Sequence, residues 1–585
     1  MVTADGLEHP ISMKLCKRLN RLNEAVVLLA SLIEVQFSNG ETKAPNDNSE
    51  PGENPNKVLE CFINKLAQVC DNRQGGDTVT SLAILELPDK VMYIFASNRR
   101  SAAEGEKVRE FIFKLLFYVS EMAAKSPPVE DDDRSKFFGT LLRNILNFNY
   151  ERIGAYAKGI GKRLVQCLRD CTRTSERDTL LQQGLLKLQT LAVIVATSCG
   201  KNSCAPDPKD LEALVRGATL LRNSTIFDHI VNMTNMSGRH HASEHWSDLQ
   251  HYIGRLVSYH RIVRTIIVTR KCHPALFYGD NIEVQFVKSS KPLPNPMVAF
   301  QAGLPPSQRH KIRKADDIIS RMTSDEEKKA TYREYAETLQ NCQLDERLRK
   351  RCCSDSYRPI VHSEVLLLEH LQTEFAQETR SVPFYHGDKY IGCSKPTCRL
   401  CDFYFASNNT GVKVRPPHPN VYINWTVPNV MDENPETAKA KDSVIDGVLQ
   451  KVREAAFTAM KDKFSARKRF DSDTSTWQPT YQSIADVMST VDELSSQLEA
   501  SNISSQVIAA PLPATRESSR AVDRRSEVGV DRDISGQGSA NKRSVALIFP
   551  GKVDGPRDVQ SELGFETEDE DDGGVIVFTG RGNRT

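Results

Sequence analysis

Hydrophobic and polar positions follow a helical spacing over most of the chain. Residues 11–37 carry an apolar residue every three or four positions, which predicts an amphipathic helix. A polar link rich in Asn, Pro and Gly separates this helix from a second, shorter helix predicted at about 57–70. The same spacing continues almost without interruption from about 105 to 270 and returns at about 309–350. The pattern therefore predicts a largely α-helical protein.

Two segments depart from this pattern and predict β-strands. Between Thr80 and Asn98, two β-rich runs are separated by Pro88-Asp89, which is typical of a β-hairpin. Residues 281–287 alternate apolar and polar side chains and form a further candidate strand. The chain thus combines a few strands with many helices.

Composition and charge limit the classes of protein to which this chain can belong. A length of 585 residues predicts several domains, because single hydrophobic cores rarely grow beyond about 300 residues. The net charge of +1 gives no overall basic field for nucleic acid, although a local basic groove stays open. Fourteen cysteines without a signal peptide favour a reducing intracellular compartment, either cytoplasm or nucleus. The longest apolar runs, AVVLLASLI and LAVIVA, are shorter than a bilayer span, so we expect no membrane association.

Candidate metal ligands stand in two short motifs. His362 and Glu364 form the one H-x-E of the chain, at the start of a run with helical periodicity. Positions two apart on a helix face different directions, so we expect His362 to bind a metal and Glu364 to stand beside it. Cys398 and Cys401 form the one C-x-x-C, and at a helix start they share a face where the thiolate is favoured. One histidine and two cysteines suit Zn²⁺.

This ligand set leaves room for chemistry at the metal. Three protein ligands leave the fourth position of a tetrahedral Zn²⁺ to water, whose pKa falls to about 7. Glu364, as a carboxylate that is not a ligand, is the candidate to take and return protons. These groups would add water to an amidine-like ring carbon and release ammonia. The alternative is a closed structural zinc site in which Cys393 is the fourth ligand.

The two motifs together carry a resemblance to a known family. HSEVLLLEHL followed by YIGCSKPTCRLCDFYF, within about 355–430, resembles the cytidine-deaminase-like superfamily and especially its OTT-like branch of fungal and bacterial-toxin proteins. The resemblance implies an α/β fold, with a cytidine-deaminase-like mixed sheet flanked by helices and embedded here in a largely α-helical protein. It also implies Zn²⁺ as cofactor and hydrolytic deamination of a base as the activity. One departure is that the usual Pro before the first cysteine is replaced by Thr397, with Pro396 one residue earlier.

The resemblance also implies residues that contact the substrate, a nucleoside or a single-stranded nucleic acid. The superfamily begins with a β-hairpin whose second strand often ends in a substrate-binding Asn, which fits Asn98. The segment VRPPHPNVYINWTVP is similar to a later strand and would place His418 and Trp425 near the pocket mouth. The helices of about 105–270 would then be an insertion that covers or flanks the pocket. The alternative is that Ile282–Val287 supplies the first strand and that the hairpin belongs elsewhere.

These patterns divide the chain into six parts. They are an N-terminal helical segment (1–76), the β-hairpin of the deaminase sheet (77–100), a mainly helical region that is an insertion or a separate domain (101–352), the zinc deaminase-like core (353–430), C-terminal helices (431–500) and a disordered tail with an acidic end (501–585). Within the C-terminal helices, Ile484 to Leu498 form an apolar seam of two heptads, which makes a coiled coil an open alternative. In the tail, the β-prone run Val575–Phe578 follows an acidic block and resembles a motif that binds ubiquitin-like modifiers by strand addition; an inert tail is the alternative.

Two functions follow from the sequence. The first is a zinc-dependent hydrolytic deaminase, and the second is a catalytically inactive deaminase-fold protein with a structural zinc that serves as a protein-interaction module. The number of protein ligands separates them, because three ligands leave an open position and a fourth closes the site. Cytosine or adenine, and free nucleoside, DNA or RNA, all stay open as substrates.

Overall fold

The computed structural model describes most of the chain up to Asp462. The described ranges are 13–39, 55–124, 131–171, 176–200, 205–236, 244–298, 314–375, 381–428 and 435–462. The helices are α1 Met13–Asn39, α2 Pro55–Cys70, α3 Ala102–Ala124, α4 Asp131–Phe148, α5 Tyr150–Cys171, α6 Glu176–Gly200, α7 Pro208–Arg222, α8 Thr225–Met236, α9 Glu244–Cys272, α10 Ala315–Ile319, α11 Glu326–Leu339, α12 Leu344–Cys352, α13 Ser363–Glu374, α14 Arg399–Ser407 and α15 Pro435–Asp462. The strands are β1 Thr80–Glu86, β2 Val91–Ser97, β3 Ile282–Val287, β4 Tyr390–Cys393 and β5 Lys413–Val414. The predicted seam from Ile484 to Leu498 and the run Val575–Phe578 lie outside the described residues.

The strands form a five-stranded mixed sheet in the order β3-β2-β1-β4-β5. β1 and β2 pair antiparallel as the predicted hairpin. β4 pairs antiparallel with β1 through Ser81 and Cys393, while β3 and β5 add in parallel at the two edges. The predicted pairing of the hairpin with the strand before Cys398 is therefore confirmed. The strand proposed as its rival, Ile282–Val287, belongs to the same sheet.

The sheet separates two hydrophobic cores, because successive residues of a strand point to opposite faces. Leu82 and Ile84 of β1 face a first core built with α2 to α9. The alternate residues of β1 face a second core built with α1 and α10 to α15, which includes Cys398 and Cys401. The helices of 102–272 thus pack on the other face of the sheet from these cysteines. They do not lie over the cysteines on that face, and the expectation that they cover or flank the pocket stays a prediction.

The first and last described helices pack against each other. Arg18 of α1 forms ion pairs of 2.7 Å with Asp442 and with Asp446 of α15. Apolar residues hold the pair together more strongly than these half-exposed charges do, and Val448 and Val452 of α15 are fully buried in the second core. Helices from both ends of the described chain therefore complete the core that contains the candidate site.

One helix in the described ranges is long and apolar enough to cross a membrane, judged by length and composition alone. It is the 21-residue stretch Thr179–Cys199 of α6. This stretch includes the apolar run LAVIVA, and the expectation of no membrane association stays a prediction. A single such helix is weak evidence, because a core helix passes the same test, and Leu185 and Leu188 of this stretch are buried in the first core.

Candidate metal centre

His362 stands immediately before α13 as its N-cap residue. Its backbone is extended, with φ −66° and ψ 152°, and its carbonyl accepts the first helical hydrogen bond from Leu366 N at 2.9 Å. Two residues earlier, Ile360 N donates to Asn424 O and Ile360 O accepts from Thr426 N, both at 2.9 Å. This strand-like pairing fixes where the chain enters α13. His362 therefore occupies the helix start that the sequence predicts.

The two cysteines occupy the start of α14. β4 ends at Cys393, and a short connection leads to Cys398, the N-cap residue of this helix. Cys401 N donates to Cys398 Sγ at 3.4 Å, so the sulfur takes the place of the oxygen acceptor usual at an N-cap. The prediction that both cysteines share a helix start is confirmed.

His362, Cys398 and Cys401 converge in a buried cluster. His362 Nδ1 lies 3.5 Å from Cys398 Sγ and 3.6 Å from Cys401 Sγ. All three candidate ligand atoms lie within 4.8 Å of one another, which no other group of three His, Cys, Asp or Glu achieves in the described ranges. Cys393 is buried but does not belong to this group. The geometry can therefore hold a metal ion with three protein ligands.

The surroundings shift the pKa of each cysteine near the cluster, and the direction of the shift differs between them. Burial disfavours a thiolate at Cys398, but hydrogen bonds from Cys401 and His362 outweigh this and hold the pKa of Cys398 well below its usual value. Burial and the hydrogen bond with Cys398 raise the pKa of Cys401 well above its usual value. Burial raises the pKa of the Cys393 thiol to about 12, so that thiol is neutral. A thiolate at Cys398 beside His362 is the electrostatic arrangement that a cation favours.

Glu364 lies beside the cluster without joining it. Its Oε2 is 3.9 Å from Cys401 Sγ and accepts a hydrogen bond of 3.3 Å from Ser363 Oγ. Ser363 Oγ is also 2.8 Å from Ser81 Oγ of β1. Burial and the negative charge of Cys398 raise the pKa of Glu364. A buried carboxylate with a raised pKa beside a candidate metal site is suited to exchanging protons.

The residues predicted to contact a substrate lie around the cluster. Asn98 follows β2, and its side-chain oxygen accepts a hydrogen bond from Ser363 N at 2.8 Å. His418 is buried in the segment after α14. Trp425 is only 2% exposed and packs in the second core, which also contains Cys398 and Cys401. Contact with a substrate stays a prediction for Asn98, His418 and Trp425.

Tyr422 is a residue of this site that the sequence reasoning missed. Its ring centroid lies 6.3 Å from that of His362 and 5.8 Å from that of His418. The available signal is its place in HPNVYINWTVP, the segment expected to line the pocket. Ser81 and Ser363 carry no signal in the sequence, because a single hydroxyl in a strand or helix has no pattern that points to a site.

Comparison with protein families gives a match to part of the chain. Residues 361–429 match the family model of the OTT_1508-like deaminases. This segment resembles an OTT-like deaminase. The match supports the OTT-like branch of the cytidine-deaminase-like superfamily, and it spans both helix starts of the candidate metal centre. No curated protein and no solved structure matches the chain. The match begins at Val361 and does not include the hairpin, whose strand β1 pairs with β4.

Proposed function

We propose that the protein is a zinc-dependent hydrolytic deaminase that acts on a base in a nucleoside or nucleic acid, with a cytidine-deaminase-like fold. The observation that carries the proposal is the buried cluster of His362, Cys398 and Cys401, with Glu364 beside it, inside a segment that matches deaminases. Each group has the chemistry that this reaction requires.

The donor set fits zinc. Zinc binds sulfur at about 2.3 Å and nitrogen at about 2.1 Å in a tetrahedral site, which separates the nitrogen from each sulfur by about 3.6 Å. His362 Nδ1 lies 3.5 and 3.6 Å from the two sulfurs. His362, Cys398 and Cys401 would therefore hold the ion. Cys393, outside the cluster, leaves the fourth position open and does not support a closed structural site.

Each group at the proposed metal site would have its own role in the reaction. Bound zinc would supply the Lewis acidity that makes a water acidic near neutral pH. Glu364 would take a proton from the attacking water at Oε2 and return it to the departing amino group, so that water is consumed and ammonia released. The Ser363 hydroxyl donates to the same Oε2 at 3.3 Å and holds the carboxylate in place. Burial of Glu364, which is 3% exposed, keeps bulk water from competing for that proton.

Substrate recognition is proposed for the residues around the cluster. Tyr422 offers an aromatic face beside His362, and a base can stack on such a face. We propose contacts with the base or the sugar for Asn98, His418 and Trp425. An intracellular location and the binding of a ubiquitin-like modifier through Val575–Phe578 are proposals that rest on the sequence alone.

The second candidate is an inactive deaminase fold whose zinc is structural and whose role is to bind other proteins. The deep burial of the cluster favours this candidate, since Cys401 is fully buried and Cys398 nearly so. An assay for ammonia release decides between the two candidates, because both would bind zinc but only the deaminase would release ammonia.

The deciding experiment compares the full chain with its Glu364→Gln variant. Both proteins are assayed for ammonia and converted base with cytidine, adenosine, single-stranded DNA and single-stranded RNA, and both are analysed for zinc. We expect wild-type activity on one of these substrates and a loss of about a hundredfold or more in Glu364→Gln, with zinc retained, because the proton transfer alone is affected. If the zinc-loaded wild type deaminates none of the four substrates, the result favours the second candidate, the interaction module.

A further inference from the structure

The side chain of Asn98 bridges two backbone segments at the metal centre. Its Oδ1 accepts a hydrogen bond from Ser363 N at 2.8 Å, and its Nδ2 donates to Gly76 O at 2.9 Å. Its own backbone N–H donates to Val79 O at 3.0 Å. The residue is 7% exposed. Asn98 therefore ties the loop before β1 to the first residue of α13.

The first turn of α13 needs such a partner. The first N–H groups of a helix have no acceptor within the helix, and an N-cap side chain usually supplies one. His362 is the N-cap residue here, yet its side chain makes no capping hydrogen bond. Its Nδ1 faces the sulfurs of Cys398 and Cys401 instead. Asn98 supplies this acceptor from another part of the chain, while His362 Nδ1 lies beside the two sulfurs.

The loop that carries Gly76 is itself anchored by the helical region. Arg152 of α5 forms a buried ion pair with Asp71 at 2.6 Å, with side chains 2% and 1% exposed. The same guanidinium donates to the carbonyls of Asp71 at 2.9 Å and Arg73 at 2.6 Å. Thr78 Oγ1 closes the loop by donating to Asp71 at 2.7 Å. The Gly76 carbonyl thus has a fixed place from which to orient the amide of Asn98.

We infer that Asn98 is a positioning residue of the metal centre, which caps α13 so that His362 presents Nδ1 to the metal. Through the loop of residues 71–79, the helices packed on the other face of the sheet contribute to the alignment of His362. The inference deepens the proposed function, on which it depends only for the binding of zinc by this cluster. It assigns Asn98 a role that does not require contact with a substrate.

The test measures the zinc affinity of the full chain by competition with a chelator, so it does not depend on activity. Partners that orient metal ligands typically contribute ten- to hundredfold in affinity. We expect Asn98→Ala to weaken zinc binding by about that factor. Asn98→Asp keeps an acceptor for Ser363 N and should bind zinc more tightly than Asn98→Ala. If Asn98→Ala does not fold, Asn98→Ser, whose hydroxyl is too short to reach both partners, takes its place with the same expectation.

Thr219 of α7 provides the control. It is buried, and its hydroxyl donates to Val215 O at 2.8 Å within the same helix. Thr219→Ala should therefore leave the loop of residues 71–79 and the zinc affinity unchanged. An Asn98→Ala variant with wild-type zinc affinity would overturn the inference, as would a wild type that binds no zinc. A wild type that binds zinc but deaminates no substrate would refute the proposed reaction and leave the role of Asn98 standing.

Discussion

At the scale of single residues, the site depends on cysteines that burial alone would leave protonated. Burial acts on Cys393, Cys398 and Cys401 alike by opposing the charged form. Cys398 differs because it stands at a helix start, where Cys401 N donates to its sulfur at 3.4 Å, and because it lies beside His362. Position at the helix start, rather than residue type, therefore separates a candidate ligand from a packed thiol.

This difference predicts which cysteine the metal needs. Wild-type protein should contain about one zinc per chain, and Cys398→Ser should lose it because a serine hydroxyl is a poor ligand in place of a thiolate. Cys393→Ser is the control, since Cys393 is equally buried but lies outside the cluster. It should keep its zinc. Metal analysis of the purified proteins measures the result, and full zinc retention in Cys398→Ser would contradict the ligand assignment.

Sequence patterns predicted that His362, Cys398 and Cys401 come together, because H-x-E and C-x-x-C are local and each occurs once. They could not predict the contact between Asn98 and Ser363, which joins residues far apart in the sequence. The same limit applies to Tyr422, whose place beside His362 depends on how the segment after α14 folds back over the site.

At the scale of elements, β4 is the strand that delivers the cysteines, and it lies close to α2. Gly392 of β4 makes this approach possible, because a β-carbon there would come within 2.6 Å of Ile63 Cγ2 and 3.0 Å of Asn64 N. Asn64 Oδ1 also accepts a hydrogen bond from Cys393 N at 3.1 Å. The sequence indicated the strand before Cys398 by its position, but it could not show that α2 packs on it.

Gly392→Ala should therefore destabilise the protein. The added methyl group meets a branched side chain and a backbone nitrogen, and overpacking of this kind costs about 1–3 kcal/mol in the free energy of unfolding. Gly161→Ala in α5 is the control, because its added methyl group meets no atom within 4 Å. It should raise stability by about 0.5–1 kcal/mol, since alanine is the better helix former. Chemical denaturation of both variants measures the difference, and an equal effect on both would show that β4 and α2 are not tightly packed.

The hairpin and β3 show how far element prediction could go. Strand alternation and the Pro88-Asp89 turn predicted each element, because these signals are local. Residues 80–98 and 282–287 were rival candidates for the same place in the sheet. Both belong to the sheet. β3 pairs in parallel with β2, although the helices of residues 102–272 lie between the two strands in the sequence. Parallel pairing of distant strands leaves no local signature, so the sequence could not show that both belong to the sheet.

At the scale of the whole molecule, the sheet is a partition between two cores with different tasks. The helices α3 to α9 bury their apolar faces in the first core, and the candidate metal site lies in the second. Helical periodicity predicted the helices but gives no information about which face of a sheet they cover. This is why the sequence left open whether they cover or flank the pocket. Asn98 and the loop of residues 71–79 form a polar link between the two sides.

This arrangement predicts that metal removal loosens the second core and leaves the first core largely unchanged. Zinc would tie the start of α13 to the start of α14, both in the second core, and at a concentration a thousandfold above its Kd it would stabilise the fold by about 4 kcal/mol. After chelation, amide hydrogen exchange should rise in α13, α14 and β4 and change little in α5 and α9. Cys398→Ser, already without metal, is the control and should not respond to the chelator. An equal rise in both cores would contradict the partition, because it would mean that the sheet and both its faces open as a single cooperative unit.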